Sequence, residues 1–165
     1  MSLLNRASYR VRQLQRTISP RIRRSEKREA KEVLGRALYP LFKAMQPADQ
    51  RHCLDVYQLL RENGEKDVVA LAAALVHDAG KGGEAAKEIR TWHRVAHVAL
   101  PQPVLHRLAA RKGGLAHLAN HGDETIRLAR EAGASADLLA LLAAMETRHA
   151  DDARAARLVA ADDAC

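Results

Sequence analysis

The stretch Val76-His77-Asp78-Ala79-Gly80-Lys81 sets an imidazole, a carboxylate and an ammonium in close order, directly after the apolar run Val68 to Val76. A run that is apolar nearly all round marks a helix buried at the centre of a fold. An ionised Asp at the end of such a helix needs a partner charge, dense hydrogen bonding or a bound cation, because an unpaired buried charge is costly. A divalent metal meets that need, with the neighbouring His as co-ligand. Adjacent helical side chains diverge by about 100°, so an ion between His77 and Asp78 requires ligands from other parts of the chain. His52, on the helical stretch preceding the dyad, and Asp162, close to the C-terminal end, are donors of the right kind. Lys81 is a single cation able to reach a substrate phosphate or a nearby carboxylate.

Those residues must be brought together by helices. Val33, Leu34, Ala37, Leu38, Leu41 and Phe42 follow helical spacing after Ser25, with Pro40 as the expected kink. A second helix is expected from near Pro47 to Gly64, with Asp49 as a candidate cap, and a third from about Asp67 to His77, ending near Gly80. Further helical stretches are expected over Glu84 to Leu100, Val104 to Arg111, Gly122 to Ala132, Ala136 to His149 and from about Asp152 onward. Ala, Leu, Arg and Glu dominate and only 3% of residues are aromatic, which excludes a β-sandwich or barrel and predicts an all-α fold. At 165 residues the chain suits one domain. The expected organisation is a basic N-terminal arm, residues 1–24, followed by a single helical bundle, residues 25–165.

The net charge of +7 is concentrated at the start of the chain. Residues 1–31 hold ten Lys and Arg against Glu26 and Glu29, while residues 32–165 are close to neutral. Such a segment can contact nucleic acid, anionic lipid or an acidic partner. Residues 1–24 carry no acid, a feature shared with mitochondrial transit peptides. No apolar run is long enough to span a bilayer or serve as a secretory signal, and Cys53 and Cys165 are too few for a disulfide framework. Reduced thiols and a cytoplasmic location are expected.

The order of His52, His77-Asp78 and Asp162 resembles the HD superfamily of metal-dependent phosphohydrolases. The local text carries the likeness: Gln50-Arg51-His52 opening a helix, Ala72-Ala-Ala-Leu-Val-His77-Asp78-Ala-Gly80-Lys81, and Ala160-Ala161-Asp162 near the end. The likeness spans about residues 47 to 165. It implies a helical bundle of the HD-domain type in which His52, His77, Asp78 and Asp162 ligate one metal. Asp162 is preferred over Asp163 because it follows small apolar residues. Family members with a second metal use two more histidines between the dyad and the last Asp, and the dyad Asp bridges both ions. His121 and His149 match those positions by context, although Gly122 and Thr125 stand where the family often places Pro and Gly. The implied cofactor is manganese, iron, nickel or magnesium, one or two ions per chain. The implied reaction is hydrolysis of a phosphate ester or anhydride of a nucleotide or small phosphorylated metabolite by a metal-activated water, with Asp78 and Lys81 as catalytic residues. Lys81, Arg51 and Arg94 are the candidate substrate-binding cations.

Rival readings use the same residues. His93 and His97 share a helix face by their spacing, but no Glu follows His93, which excludes a zinc-protease motif. They are expected to line the cleft or pack with Trp92, and His106 and His117 are expected to be ordinary polar residues. Cys53 is read as packing. Gly80-Lys81-Gly82-Gly83 lacks the spacing of a phosphate loop. The Gly-Tyr-Pro segment of the cyclic-dinucleotide phosphodiesterases and the Glu-Asp pair of the alarmone hydrolases are absent. Two alternatives stand beside the hydrolase: a catalytically silent metal-binding regulatory module, and a nucleic-acid-associated protein that uses the basic arm.

Overall fold

Val68–Val76 is the helix against which most of the other described helices pack. In the computed structural model, which describes residues 21–83, 88, 113–148 and 151–165, it is the third of seven α-helices laid out among the described residues. They are α1 (Arg24–Ala44), α2 (Pro47–Glu62), α3 (Val68–Val76), α4 (Gly114–Ala119), α5 (His121–Glu131), α6 (Ala136–Glu146) and α7 (Ala153–Ala164), with a 3₁₀ turn over Ala79–Lys81 between α3 and α4. No strand occurs among the described residues, so the fold is an all-α bundle.

The composition of α3 explains its place. Asp67 caps it by accepting the Val69 amide at 2.8 Å, and every residue from Ala70 to Val76 is buried. Its alanines let neighbouring helices approach closely, and α1, α2, α6 and α7 all pack against it. Leu75, Val76, Leu54, Val56, Leu141 and Leu158 form the fully enclosed centre. Burial of each such side chain contributes roughly 1.5–3 kcal/mol.

Three boundaries differ from the sequence expectations, each for a local reason. The break in α1 falls at Gly35 (φ 62°, ψ −167°) and not at Pro40. A glycine adopts that conformation without a Cβ penalty, and the bond that Pro40 forfeits, to the carbonyl of Arg36, lies just beyond a ladder Gly35 has already interrupted. At the start of α2 the cap position belongs to Gln46, with Pro47 opening the helix and Asp49 buried inside the first turn. Helix α6 stops at Glu146, short of His149. There the Thr147 hydroxyl donates to the Ala143 carbonyl at 2.9 Å, and Arg148 turns the chain with φ 51°. The helices expected over 84–100 and 104–111 lie outside the described residues.

Two polar devices join elements far apart in sequence. Glu26, in the first turn of α1, accepts the Arg23 amide at 2.7 Å and pairs with Arg51 of α2 at 2.8 Å. Arg154 of α7 reaches Asp137 at the start of α6 (2.8 Å), the α3 cap Asp67 (3.3 Å) and its own cap Asp152 (3.5 Å). Among the described residues no helix is long and apolar enough to cross a membrane.

Candidate metal centre

His77 caps the C-terminal end of α3, and one hydrogen bond sets its ring: Nδ1 donates to the Ala74 carbonyl at 2.9 Å. A carbonyl only accepts, so Nδ1 carries the proton and Nε2 presents a lone pair. That Nε2 is buried without a hydrogen-bond partner. It faces Asp162 Oδ1 at 3.5 Å and Asp78 Oδ1 at 3.7 Å. A buried lone pair facing two carboxylate oxygens is unfavourable unless a positive charge stands between them, either a proton on Nε2 or a cation.

The helix end is what lets neighbouring residues His77 and Asp78 serve one site. Asp78 leaves helical geometry (φ −98°, ψ 9°) and opens the 3₁₀ turn, so its carboxylate swings back toward the His77 ring instead of diverging from it. From α2, His52 donates Nε2–H to Asp162 Oδ1 at 2.7 Å and meets His77 edge-on, with ring centroids 5.3 Å apart. From α7, Asp162 closes the ring. Donor atoms of His52, His77 and Asp162 lie within 4.8 Å of one another, so these three can hold a metal ion, and Asp78 borders the same space. Bonds of about 2.1 Å to nitrogen and oxygen place neighbouring ligand atoms about 3 Å apart and opposed ones about 4 Å apart. The observed separations match that range.

The electrostatics keep both carboxylates of the cluster ionised. Burial pushes the Asp78 carboxyl up, but Lys81 and the imidazoles of His77, His121 and His52 outweigh it and hold the group well below its ordinary value. Burial likewise opposes ionisation of Asp162, and the hydrogen bond from His52 with the adjacent His77 ring reverses that, keeping it far below the carboxylate range. For His77 burial disfavours the charged ring, yet the carboxylates of Asp78 and Asp162 raise its pKa well above normal. The two carboxylates stay ionised and draw a positive charge into the pocket.

His121, the first residue of α5, repeats the arrangement. Its Nδ1 donates to the Leu118 carbonyl at 2.7 Å and its Nε2 faces Asp78 Oδ1 at 3.4 Å. Donation of the second ring nitrogen to a carbonyl is the usual way a metal-binding imidazole is oriented. Burial and the nearby Lys81 lower its pKa. Lys81 Nζ lies 2.7 Å from Asp78 Oδ1 with its side chain mostly enclosed. Asp78 outweighs the burial that disfavours the ammonium, so its pKa is raised.

The remaining candidates separate clearly. Asp163 is exposed and bonded to Arg148 at 3.1 Å, so Asp162 and not Asp163 belongs to the cluster. Arg51 is committed to Glu26, Asp55 (3.0 Å) and the Arg21 carbonyl, a clamp between α1 and α2, which removes it as a substrate-binding cation. His117 sits 3.3 Å from Glu88, half-exposed. A second possible grouping joins Cys53 to His77 and Asp78. Its sulfur, however, lies 3.8 Å from Nδ1, the nitrogen already bound to Ala74, and burial raises the thiol pKa, so Cys53 packs as a neutral thiol. His149, Arg94, His93, His97, Trp92 and His106 lie outside the described residues.

Sequence reasoning missed the parts that hold these groups in place. Thr125 Oγ1 accepts the Gly80 amide at 2.8 Å and donates to the His77 carbonyl at 2.9 Å, locking α5 to the turn. A side chain on Gly80 would put its Cβ 2.1 Å from the His121 carbonyl oxygen, so only glycine allows this approach. Buried Asp49 adds its field to that of Asp78 at Lys81. The signal for Thr125 was its helical spacing with Gly122 and Ala129, the other buried residues of α5. Compared with known proteins, the chain matches no family model, no curated protein and no solved structure.

Proposed function

We propose that this protein is a metal-dependent phosphohydrolase acting on a phosphate ester or anhydride of a nucleotide or small phosphorylated metabolite. The observation that carries the reading is the orphaned Nε2 of His77, aimed at two ionised carboxylates that arrive from different parts of the chain. The sequence likeness to the HD superfamily, carried by the same residues, points to the same chemistry. His52, His77, Asp78 and Asp162 would hold the ion. A divalent cation there, manganese, iron, nickel or magnesium, supplies Lewis acidity toward a phosphoryl oxygen and acidifies water at neutral pH.

The burial pattern favours a reactive site over a closed structural one. His77 and Asp78 are 6% and 3% exposed, whereas His52 and Asp162 are 28% and 31% exposed. The floor is enclosed and one side is open, as a site that admits substrate requires. Lys81 keeps Asp78 ionised, and Ala74 and Leu118 fix the tautomers of His77 and His121. The test is elemental analysis of the purified chain, followed by phosphate release from a panel of nucleotides and generic phosphoesters with added manganese. Turnover that disappears in His77→Ala is the expected result. Metal-loaded protein that turns over nothing in the panel overturns the hydrolase and leaves a regulatory metal-binding module.

A second reading concerns partners. Arg21 and Arg23 just ahead of α1 and Arg24, Lys27, Arg28 and Lys31 within it are all exposed, so part of the basic segment is helix surface. We infer that this face docks polyanions, with nucleic acid as the occupant, since clustered Lys and Arg gain affinity by releasing phosphate counterions. Replacing Arg24, Lys27, Arg28 and Lys31 with Ala is expected to flatten the salt dependence of DNA or RNA binding. An unchanged slope removes the face from consideration.

A further inference from the structure

The C-terminal end of α6 lies beside the cluster. Glu146, its last residue, rests its carboxylate against Gly122, next to His121. Two residues on, Arg148 donates from Nη1 and Nη2 to the two carboxylate oxygens of Asp163, at 3.2 and 3.1 Å. Asp163 adjoins Asp162, and the charges of Asp163, Asp162 and Glu146 all act on the guanidinium. Asp162 is also one of the cluster residues that solvent reaches, and the Arg148 side chain is 64% exposed. An arginine has five N–H donors, and the end-on pair with Asp163 uses two. Nε–H and one outer hydrogen on each terminal nitrogen make no hydrogen bond to a described residue. Nε–H with its neighbouring terminal N–H forms a side-on fork that fits two phosphate oxygens. We propose that Arg148 binds the substrate's phosphoryl group at this centre, with Asp163 as the positioning residue that holds its guanidinium. The inference rests on the metal-centre reading above and supplies the substrate-binding cation that it lacks.

Two further observations support it. A phosphate that places one oxygen on a metal ion brings more negative charge, which needs a cation outside the ligand set. Lys81 is occupied by Asp78 at 2.7 Å and by the field of Asp49, and Arg51 by Glu26 and Asp55. The second observation is the backbone. Arg148 has φ 51° and is the only non-glycine residue with positive φ among the described residues. A helix end of this shape favours glycine, and an exposed ion pair contributes little to stability. The arginine therefore strains the turn without a matching gain in the fold, a pattern that gathers at functional sites.

The experiment titrates inorganic phosphate into the full-length chain by calorimetry, once loaded with manganese and once stripped with chelator. The manganese-dependent part of the binding is the readout, so phosphate held by the basic face of α1 does not count. In Arg148→Met this part is expected to weaken about tenfold or more, with no loss of manganese affinity. Arg148→Gly relieves the strained turn, so it is expected to melt at or above the temperature of Arg148→Met and to lose phosphate to the same degree. That pairing separates a binding role from a structural one and keeps the test alive if one variant folds poorly. Unchanged manganese-dependent phosphate binding in either variant overturns the role of Arg148, as does a wild type that takes up manganese but no phosphate. A wild type that binds no manganese removes the metal centre itself, and the role of Arg148 with it.

Discussion

At the scale of single residues, neighbouring acids at the end of α7 make the sharpest contrast. Asp162 accepts from His52 and faces the orphaned nitrogen of His77, whereas Asp163 bonds to Arg148 at the surface. Asp162→Asn is therefore expected to weaken manganese binding by at least about tenfold, while Asp163→Asn leaves it unchanged, as measured by metal titration. Glu26 gives a pH prediction. Burial pushes its carboxyl up, but the Arg23 amide and the Arg51 guanidinium overcome this, so its pKa in the folded chain lies below the ordinary value. A group depressed in this way stabilises the fold fully above its unfolded pKa, and that contribution is lost as pH falls through the folded value. Glu26→Gln should thus cost on the order of 1–3 kcal/mol at neutral pH and little once the wild-type carboxyl is itself protonated, a difference that urea unfolding at neutral pH and under strong acid would reveal. Among the candidate metal donors, His77 and Asp78 were legible in the sequence because they stand beside an apolar run, and His52 and Asp162 through the order that resembles the HD superfamily. Glu26 and Arg51 were not. In sequence they look like members of a solvated charged segment, and only the packing of α1 on α2 makes them a buried pair.

Among elements, the contact of the 3₁₀ turn with α5 decides whether His121 and His77 share a site. A Cβ on Gly80 meets backbone atoms of His121 and Thr125, which cannot yield without moving the whole helix. At Gly122 the obstacle is the end of the exposed Glu146 side chain, which rotates away at little cost. Gly80→Ala is expected to destabilise the protein by about 3 kcal/mol or more and Gly122→Ala by less than about 1 kcal/mol, measured by thermal or urea unfolding. Thr125→Val removes partners from two buried backbone groups and should cost on the order of 2–4 kcal/mol. The helices themselves were readable from apolar spacing, and α2, α3, α5 and α7 begin within a residue or so of the expected places. What spacing could not locate was the break in α1. Proline advertises a kink by its chemistry, but the backbone yields where the whole chain requires it, and here that is Gly35.

For the molecule as a whole, candidate ligands as far apart in the chain as His52 and Asp162 would make metal occupancy and folding one equilibrium under the proposed function. Manganese at a hundredfold excess over its dissociation constant is expected to stabilise the chain by about 2.7 kcal/mol and to raise the melting temperature by roughly 5–10 °C. In His77→Ala the same addition should produce no shift, and a shift of equal size there would place the ion elsewhere. The meeting of His52, His77 and Asp162 was expected from their order and its likeness to the HD superfamily. Its supporting frame was not, because Thr125, Gly80 and Asp49 act through contacts that no local pattern announces.

The fork of Arg154 bears on how this protein can vary. One guanidinium pairs with acids at the N-terminal ends of α3, α6 and α7, so losing any one acid leaves the arginine with two companions, while losing the arginine takes a charge partner from all three and leaves Asp67 and Asp152 only the backbone amides they cap. Substitutions among the four are consequently not independent: their effects fall short of adding up, and Asp137 varies more freely than Asp67 and Asp152, which cap helices as well as meeting the arginine.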